Sequence, residues 1–253
     1  MIHFDEYGDR NNPTILLLHG ATAVDTFTQQ YQALHNYHLV VPHLYGAGES
    51  VTVPYEPNKL TKEIIALIQS LNKPQIIVMG HSIGAQLAVM LVAKHPDLFS
   101  RAVFLSAWVL PNEKSIRMYC KTAPLTVKLL RYKWIVNMQA KYWNYTKKQA
   151  QYMADYAQKL TVENYQAFFK QTLNIKDFPQ FYDVKIPMLA ICGQRESKDI
   201  KNSLALLAQH PCCETIVLSK AGHDFPMRCA AELNPILERF LAINNVVVKV
   251  LSV

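Results

Sequence analysis

Residues 76–85 of this 253-residue chain read IIVMGHSIGA and give the strongest indication of its fold. An apolar run, typical of a buried strand, leads directly into Gly-x-Ser-x-Gly and then into a helix of small residues. Ser82 would sit on a sharp strand-to-helix turn, with its hydroxyl above the sheet. Gly80 and Gly84 flank it, because larger side chains would collide across so tight a turn. Ser82 is therefore the candidate nucleophile.

A serine hydroxyl is a weak nucleophile, so it needs a base, and the base needs an orienting acid. His223 is the candidate base among the nine histidines, because it lies directly after the last predicted strand and before the last predicted helix. Loops at the carboxyl ends of parallel strands converge on one site. His81 is expected to point elsewhere, and solvated or capping roles are expected for His35, His95 and His210.

Apolar runs alternate with helix-like runs along the chain. The apolar runs predict strands at 14–18, 38–41, 75–79, 102–105, 188–192 and 215–218. Helical spacing predicts helices at 60–71, capped by Thr61, and at 80–94 and 230–242. This alternation predicts an α/β fold, with a mostly parallel central sheet and helices on both faces.

Residues 110–180 interrupt the alternation. They contain no strand-like run, and helical spacing appears at 146–160 and 162–173. We expect a helical insertion at 110–180 within one domain, whose core is residues 1–109 and 181–253. Between Pro111 and Ala150 there are nine Lys or Arg and one acid, Glu113. The net charge of this segment, +8, therefore exceeds the formal net charge of the whole chain, +7. The same segment holds Tyr119, Tyr132, Trp134, Tyr142, Trp143 and Tyr145.

Composition bounds the class of protein. Half of the residues are hydrophobic and 18% are charged, as in ordinary globular domains. No apolar run approaches the ~20 residues of a membrane span, and the N-terminus lacks a signal-peptide pattern. We therefore expect a cytoplasmic protein without stable membrane insertion, and we expect its five cysteines to be reduced. Since the positive charge belongs to one segment, a nucleic-acid partner is not expected.

Further motifs accompany the serine turn: Leu18-His19-Gly20, Gly46-x-Gly48-x-Ser50, His95-Pro96, a Gly-x-x-acid turn at Gly193, and Gly222-His223. Together they cover nearly the whole chain and resemble the α/β-hydrolase fold superfamily, in its cap-bearing branch of small esterase-like and lipase-like enzymes. The order of serine, acid and histidine along the chain also matches that family.

The resemblance implies an oxyanion hole and an acid. The hole would be formed by the backbone N–H groups of Ala21 and Ile83, each worth about 3 kcal/mol of barrier. The acid would follow the strand at 188–192, where Glu196 occupies the position at which the family usually has Asp. Asp199 is the alternative, although we expect it to cap a helix start. An acid elsewhere, or an incomplete triad, is the remaining alternative.

The function implied by the resemblance is hydrolysis of a small carboxylic ester through an acyl-enzyme, with Ser82, His223 and Glu196 as the triad. No metal or organic cofactor is implied. Cleavage of a C–C bond or of an amide or peptide bond is the alternative within this fold. A non-catalytic ligand-binding protein is the alternative from another class. The sequence leaves open whether the protein forms a homodimer.

Three segments carry further expectations. The loop at 42–46 lacks the Asp and Arg of the Asp-x-Arg-Gly-His-Gly pattern common in relatives. The insertion is expected to be a cap over the site; its aromatic residues either line an apolar acyl pocket or simply pack. Its lysines form a solvated outer face, or they attract anionic substrates or membrane surfaces. The tail at 244–253 could add an edge strand, pair between chains, or be disordered.

Overall fold

A single seven-stranded sheet forms the centre of the computed structural model, which describes residues 2–242. Its strands are β1 (Phe4–Tyr7), β2 (Thr14–Leu18), β3 (His38–Pro42), β4 (Ile76–His81), β5 (Phe99–Leu105), β6 (Met188–Gly193) and β7 (Cys213–Leu218). They lie in the order β1-β3-β2-β4-β5-β6-β7. Strand β1 pairs antiparallel with β3, and the other neighbours are parallel. The predicted mostly parallel sheet is confirmed.

Helices connect the strands. They are α1 (Pro57–Ser70), α2 (Ile83–Lys94), α3 (Glu113–Leu130), α4 (Lys133–Tyr142), α5 (Lys147–Lys159), α6 (Val162–Lys170), α7 (Lys198–Leu207), α8 (Phe225–Arg228) and α9 (Ala230–Ala242). Short 3-10 helices lie at Val24–Phe27, Gly48–Ser50, Pro96–Leu98, Ile175–Asp177 and Pro179–Asp183. No helix within residues 2–242 has both the length and the hydropathy of a bilayer span.

The core has two layers, because successive side chains of a strand point to opposite faces of the sheet. The layer shared with α1 and α2 includes Leu16, Leu18, Val78 and Phe104. The layer shared with α9 includes Leu17, Met79, Val103 and Ile191. Both faces of the central strands are therefore covered, which explains why these strands are continuous apolar runs.

Two predicted helix starts are wrong. Helix α1 begins at Pro57, and its N-cap is Glu56, whose carboxylate accepts the N–H groups of Asn58 and Lys59. Thr61 is not a cap, because it lies inside the helix and its hydroxyl donates to the Pro57 carbonyl. Helix α2 begins at Ile83 rather than at residue 80, because β4 continues through His81.

Four elements were not predicted. Strand β1 is a short edge strand whose residues are only partly buried, so it contains no apolar run. Helices α3, α4 and the four-residue α8 were also not predicted, and the first two expose most of their surface. The helix start expected near Asp199 is that of α7. The five cysteines are unpaired in the part of the chain that the structure describes, and Cys192 is buried in β6 as expected. The tail at 244–253 lies outside the described residues.

Helices α3 to α6 form the predicted insertion between β5 and β6. Helix α3 packs against α6, and α4 packs against α5. Small apolar clusters hold the insertion together and fix it to the core; one contains Val51, Val127 and Leu160. The nine basic residues between Pro111 and Ala150 are all exposed, as expected of an outer face.

Candidate active site

Ser82 stands at the turn between β4 and α2. Its φ of 56° lies in the left-handed region, and its N–H donates to the Leu105 carbonyl at 2.9 Å, which ties the turn to β5. A Cβ on Gly80 would lie 2.3 Å from the Gly84 carbonyl oxygen, and one on Gly84 would lie 2.0 Å from the Leu18 carbonyl oxygen. The chain can therefore make this turn only with glycine at both positions, and the turn leaves the Ser82 side chain partly exposed.

His223 lies in the loop between β7 and α8, with its side chain 50% exposed. Its Nε2 is 3.0 Å from the Ser82 hydroxyl oxygen, and its Nδ1 is 2.8 Å from Glu196 Oε2. With Nδ1–H donating to the carboxylate, Nε2 is free to accept the serine proton. The structure thus brings the two residues singled out from the sequence into hydrogen-bond contact.

Glu196 follows β6 in a tight turn, and its side chain is only 2% exposed. Its Oε1 accepts the hydroxyl of Ser106 and, at 3.4 Å, the N–H of Gly193. Burial by itself would raise the pKa of Glu196. The hydrogen bond and positive charge offered by His223, together with the Ser106 hydroxyl, outweigh burial and hold the pKa below its ordinary value. The carboxylate therefore stays ionised beside the imidazole.

Asp199 makes different contacts. It lies in the first turn of α7, and its carboxylate accepts the Ser115 hydroxyl at 2.5 Å. It does not cap the helix as expected, because Ser197 is the N-cap and accepts the Ile200 N–H. Of the two acids weighed from the sequence, the one in contact with His223 is Glu196.

His81 contacts the loop that contains His223. Its Nε2–H donates to the His223 backbone carbonyl at 2.8 Å rather than to the Ser82 hydroxyl. Burial, followed by the neighbouring His223, lowers the pKa of His81 to about 3, which keeps the ring neutral. Its Nδ1 is buried and has no partner among the described residues.

Ala21 and Ile83 flank the serine. Ile83 is the first residue of α2, where backbone N–H groups have no intrahelical acceptor. Ala21 lines the cavity in which Ser82 lies. Its loop is fixed by His19, whose Nδ1–H donates to the Gly20 carbonyl at 2.7 Å and whose Nε2 accepts the Leu44 N–H. Burial lowers the pKa of His19 to about 3, so this neutral tautomer persists across the physiological range.

Sequence reasoning missed Ser106 and the structural role of His19. Both follow directly after a predicted strand, at the edge of the sheet where such loops converge, and this position was the available signal. Ser106 is fully buried, with a φ of 50°, and its N–H donates to the Ile191 carbonyl. This geometry aims its hydroxyl at Glu196.

The site opens into a cavity of about 610 Å³ between the sheet and the insertion. Its walls include Trp108, Tyr119, Trp143, Tyr165 and Phe169. A smaller cavity of about 170 Å³ shares the walls formed by Ala21, Gln139, Trp143 and Tyr165, and continues toward Leu130, Ala157 and Leu160. The larger cavity, at about 610 Å³, is of a size that accommodates a small organic molecule. Of the six aromatic residues noted between Pro111 and Ala150, Tyr119, Tyr142 and Trp143 line the larger cavity.

His3, Asp5 and His43 form the cluster best suited to hold a metal among the described residues, at the far edge of the sheet. His43 already uses both ring nitrogens: Nδ1 accepts the Glu49 N–H at 3.1 Å, and Nε2 lies 3.0 Å from Asp5. A metal on Nε2 would require a proton on Nδ1, where the Glu49 N–H already points. The cluster is therefore built for hydrogen bonding, and it holds the loop after β3.

A family model described as the alpha/beta hydrolase family matches residues 15–236. Among curated proteins, the uncharacterized hydrolase YugF of Bacillus subtilis is 26% identical over 109 residues, which cover 41% of this chain and 40% of that protein. Lipase 1 of Psychrobacter immobilis is 32% identical over 98 residues, which cover 37% of this chain and 31% of the lipase. Matches to the first three curated relatives span only 34% to 40% of their lengths.

The fold as a whole is shared with solved structures. A carboxylesterase of the thaumarchaeon Nitrososphaera gargenis superposes with a TM-score of 0.77 over 95% of this chain and 94% of that chain. The two sequences are 18% identical, so the likeness concerns the fold.

Proposed function

Since this chain belongs to the alpha/beta hydrolase family, we propose that it is a serine hydrolase that cleaves carboxylic esters through an acyl-enzyme. One observation carries the proposal: Ser82, His223 and Glu196 form a continuous hydrogen-bonded chain, with the 3.0 Å and 2.8 Å contacts at the two imidazole nitrogens. A nucleophile, a base and an orienting acid in this order are what acyl transfer by serine requires.

In the proposed reaction, the Ser82 hydroxyl oxygen attacks the ester carbonyl carbon while His223 Nε2 takes its proton. The backbone N–H groups of Ala21 and Ile83 stabilise the oxyanion, and Glu196 stabilises the imidazolium. The proton then passes to the leaving alcohol as the C–O bond breaks. Water, deprotonated by the same imidazole, then attacks the acyl carbon. The bond from that carbon to the Ser82 oxygen breaks, the imidazolium returns its proton to this oxygen, and the carboxylic acid leaves. These steps need no metal or organic cofactor.

The substrate is proposed to be a small apolar ester. The aromatic wall of the 610 Å³ cavity offers an apolar surface next to Ser82. A second support is the name of the Psychrobacter relative, a lipase, which indicates lipid esters as the substrates of that protein. An amide, peptide or C–C substrate, or a non-catalytic binding role, remains the alternative from the sequence. Comparing the turnover of an ester with that of the amide of the same acyl group distinguishes an esterase from an amidase.

The test of the nucleophile is covalent labelling with a fluorophosphonate, read by intact mass. We expect one adduct on the native chain and none on Ser82→Ala. Peptide mapping should place the adduct on Ser82. Ser106→Ala is the matched control, because Ser106 is fully buried and should leave labelling at Ser82 detectable. An adduct that persists in Ser82→Ala would assign the nucleophile elsewhere, and absence of any adduct would support a binding role.

A further inference from the structure

Helix α3 exposes a row of apolar side chains beside a row of basic ones. Met118, Leu125 and Leu129 recur at helical spacing and are 52%, 61% and 41% exposed. At 3.6 residues per turn, the neighbouring row consists of Lys114, Arg117, Lys121 and Lys128, all of which are exposed.

Helix α4, which follows directly and contacts α3, repeats this arrangement. Trp134 and Met138 are 65% and 60% exposed, and Tyr142 continues their row one turn later. Lys133 and Lys141 stand in the row beside them. We call the two paired rows the α3–α4 face. Six of the nine large hydrophobic side chains that are exposed within the described residues lie in these rows, and such a concentration usually marks a binding surface.

The charge of this face is uncompensated. Its five lysines form no ion pair within residues 2–242, and the acid at the start of α3, Glu113, is paired with Arg117. A partner must therefore offer negative charge and an apolar interior side by side.

We propose that the α3–α4 face binds the surface of an anionic phospholipid bilayer. Such a surface presents phosphates above an acyl region, so lysines can lie at the phosphates while the adjacent apolar side chains enter the headgroup boundary. Trp134 and Tyr142 belong to the two residue types that favour this boundary. The attachment is peripheral, because no described helix is suited to span the bilayer.

Two other occupants fit the face less well. A second copy of the chain in a two-fold dimer would place the same patch against itself, so unpaired lysines would oppose lysines. Nucleic acid would use the basic row but would leave Met118, Leu125 and Met138 in water, since phosphate contacts need no apolar partner.

The face also adjoins the cavity. Tyr142 belongs to the apolar row of α4 and lines the 610 Å³ cavity as well, and the Arg228 guanidinium lies 4.0 Å above its ring. Docking would therefore place the bilayer beside the cavity into which an ester must pass. This consequence for substrate delivery rests on the proposed function, whereas membrane binding does not.

The test is co-sedimentation of the full chain with vesicles of phosphatidylcholine and phosphatidylglycerol in equal amounts, compared with phosphatidylcholine alone. We expect binding to the mixed vesicles at about 0.05 M salt, and marked weakening at about 0.5 M salt, where charges are screened. Since each lysine near an anionic surface contributes about fivefold, Lys121→Glu/Lys128→Glu should weaken binding at least about 25-fold. Trp134→Ala/Met138→Ala should weaken it at both salt concentrations.

The matched control is Lys62→Glu/Lys185→Glu, which makes the same charge change at exposed lysines of the core and should retain nearly native binding. Equal loss in this control and in Lys121→Glu/Lys128→Glu would overturn the proposal, because net charge alone would then explain it. Absence of vesicle binding by the folded native chain would also overturn it. A dimer in analytical ultracentrifugation that Trp134→Ala/Met138→Ala dissolves would identify a self-interface instead. Because Ser82→Ala keeps the face, its vesicle binding should be native even if esterase activity is never found.

Discussion

Three hydrogen bonds converge on the carboxylate of Glu196. They come from the His223 ring, the Ser106 hydroxyl and the Gly193 N–H, and the carboxylate is otherwise sealed from water. A buried carboxylate is tolerated only when it is paired and hydrogen-bonded in this way. The arrangement fixes the side chain in one position, and that position sets the orientation of the imidazole.

Replacement of this acid is expected to separate the two candidates. Glu196→Gln should lower kcat by about 10³- to 10⁴-fold, because the imidazole loses the anion that fixes its tautomer. Asp199→Asn is the matched control, since it removes the charge of a carboxylate bound to Ser115 rather than to His223. Its kcat should stay within about threefold of native, and its stability within about 1 kcal/mol. Ester turnover at saturating substrate measures kcat for both variants. If Asp199→Asn lost activity and Glu196→Gln kept it, Asp199 would be the acid of the triad.

The lowered pKa of Glu196 predicts how stability depends on pH. A carboxyl whose pKa is lower in the folded chain binds fewer protons there, so its stabilisation is complete above the ordinary value of 4.5. It is lost as pH falls below 4.5 through the folded-state pKa. The stability difference between the native chain and Glu196→Gln should therefore be constant from pH 7 to about 5 and shrink below that range. Urea denaturation at each pH measures it.

Ser106→Ala provides the matched variant for this titration. It removes one hydrogen bond that lowers the Glu196 pKa, so the folded-state pKa should rise toward 4.5. The acid-induced loss of stability should then be smaller, and should level off at a higher pH, than in the native chain. An identical loss in both proteins would contradict the role given to Ser106. Ser100→Ala, in the same strand but only partly buried, should leave the loss unchanged.

At the scale of elements, the junction of β4 and α2 depends on contacts with β2 as well as on its own turn. The Leu18 and His19 carbonyls pack directly against Gly84, so the helix start lies closer to the neighbouring strand than any side chain would allow. This close approach brings the loop that contains Ala21 next to Ser82.

Gly84→Ala is therefore expected to destabilise the fold severely. Its Cβ would lie 2.0 Å from a backbone oxygen that has no freedom to move, so we expect a loss of at least about 3 kcal/mol in the free energy of unfolding. Gly222→Ala is the control, since its Cβ would lie 3.3 Å from the Asp224 side chain, which can turn away. Gly222→Ala should lower the free energy of unfolding by about 1 kcal/mol or less. Thermal denaturation compares the two, and equal stability would refute the steric account.

The loop after β3 replaces the usual Asp and Arg by other contacts. His43 accepts the Glu49 N–H and lies 3.0 Å from Asp5 on the edge strand, while the Leu44 N–H donates to His19. These bonds hold residues 43–49 against the small cavity, which Gly46, Ala47 and Gly48 line. The departure from the pattern of relatives thus leaves the loop ordered by a different set of residues.

At the scale of the whole molecule, the cavity between core and insertion predicts the preferred length of the acyl group. For neutral p-nitrophenyl esters from acetate to dodecanoate, kcat/KM should rise with chain length, since each buried CH₂ contributes up to about 0.8 kcal/mol, and then level off. Ala157→Phe would fill the 170 Å³ cavity, so long esters should lose more activity than acetate, which serves as the internal control. A flat profile would remove the apolar pocket from the proposal.

The position of Ser82 on a strand-to-helix turn was predictable from the sequence alone. The pattern at residues 76–85 is local: a buried strand, two obligatory glycines and a helix of small residues all act within ten positions. Five of the six apolar runs predicted the central strands β2 to β6, because a strand buried on both faces needs no distant partner to be recognised. The sixth run predicted the edge strand β7, which is only partly buried. The contact between His223 and Ser82 was predictable by the same logic, since the end of a parallel strand has a known place in the sheet.

Which of the two acids contacts His223 depends on tertiary contacts. Glu196 and Asp199 are three residues apart and equal in charge, and the choice depends on Ser106, 90 residues earlier, at the end of a neighbouring strand. The exposure of the α3–α4 face is of the same kind. Its apolar residues have helical spacing that would suit a core, and only the packing of α3 on α6 and α4 on α5 turns them outward. Such contacts join residues distant in sequence, so no local pattern contains them.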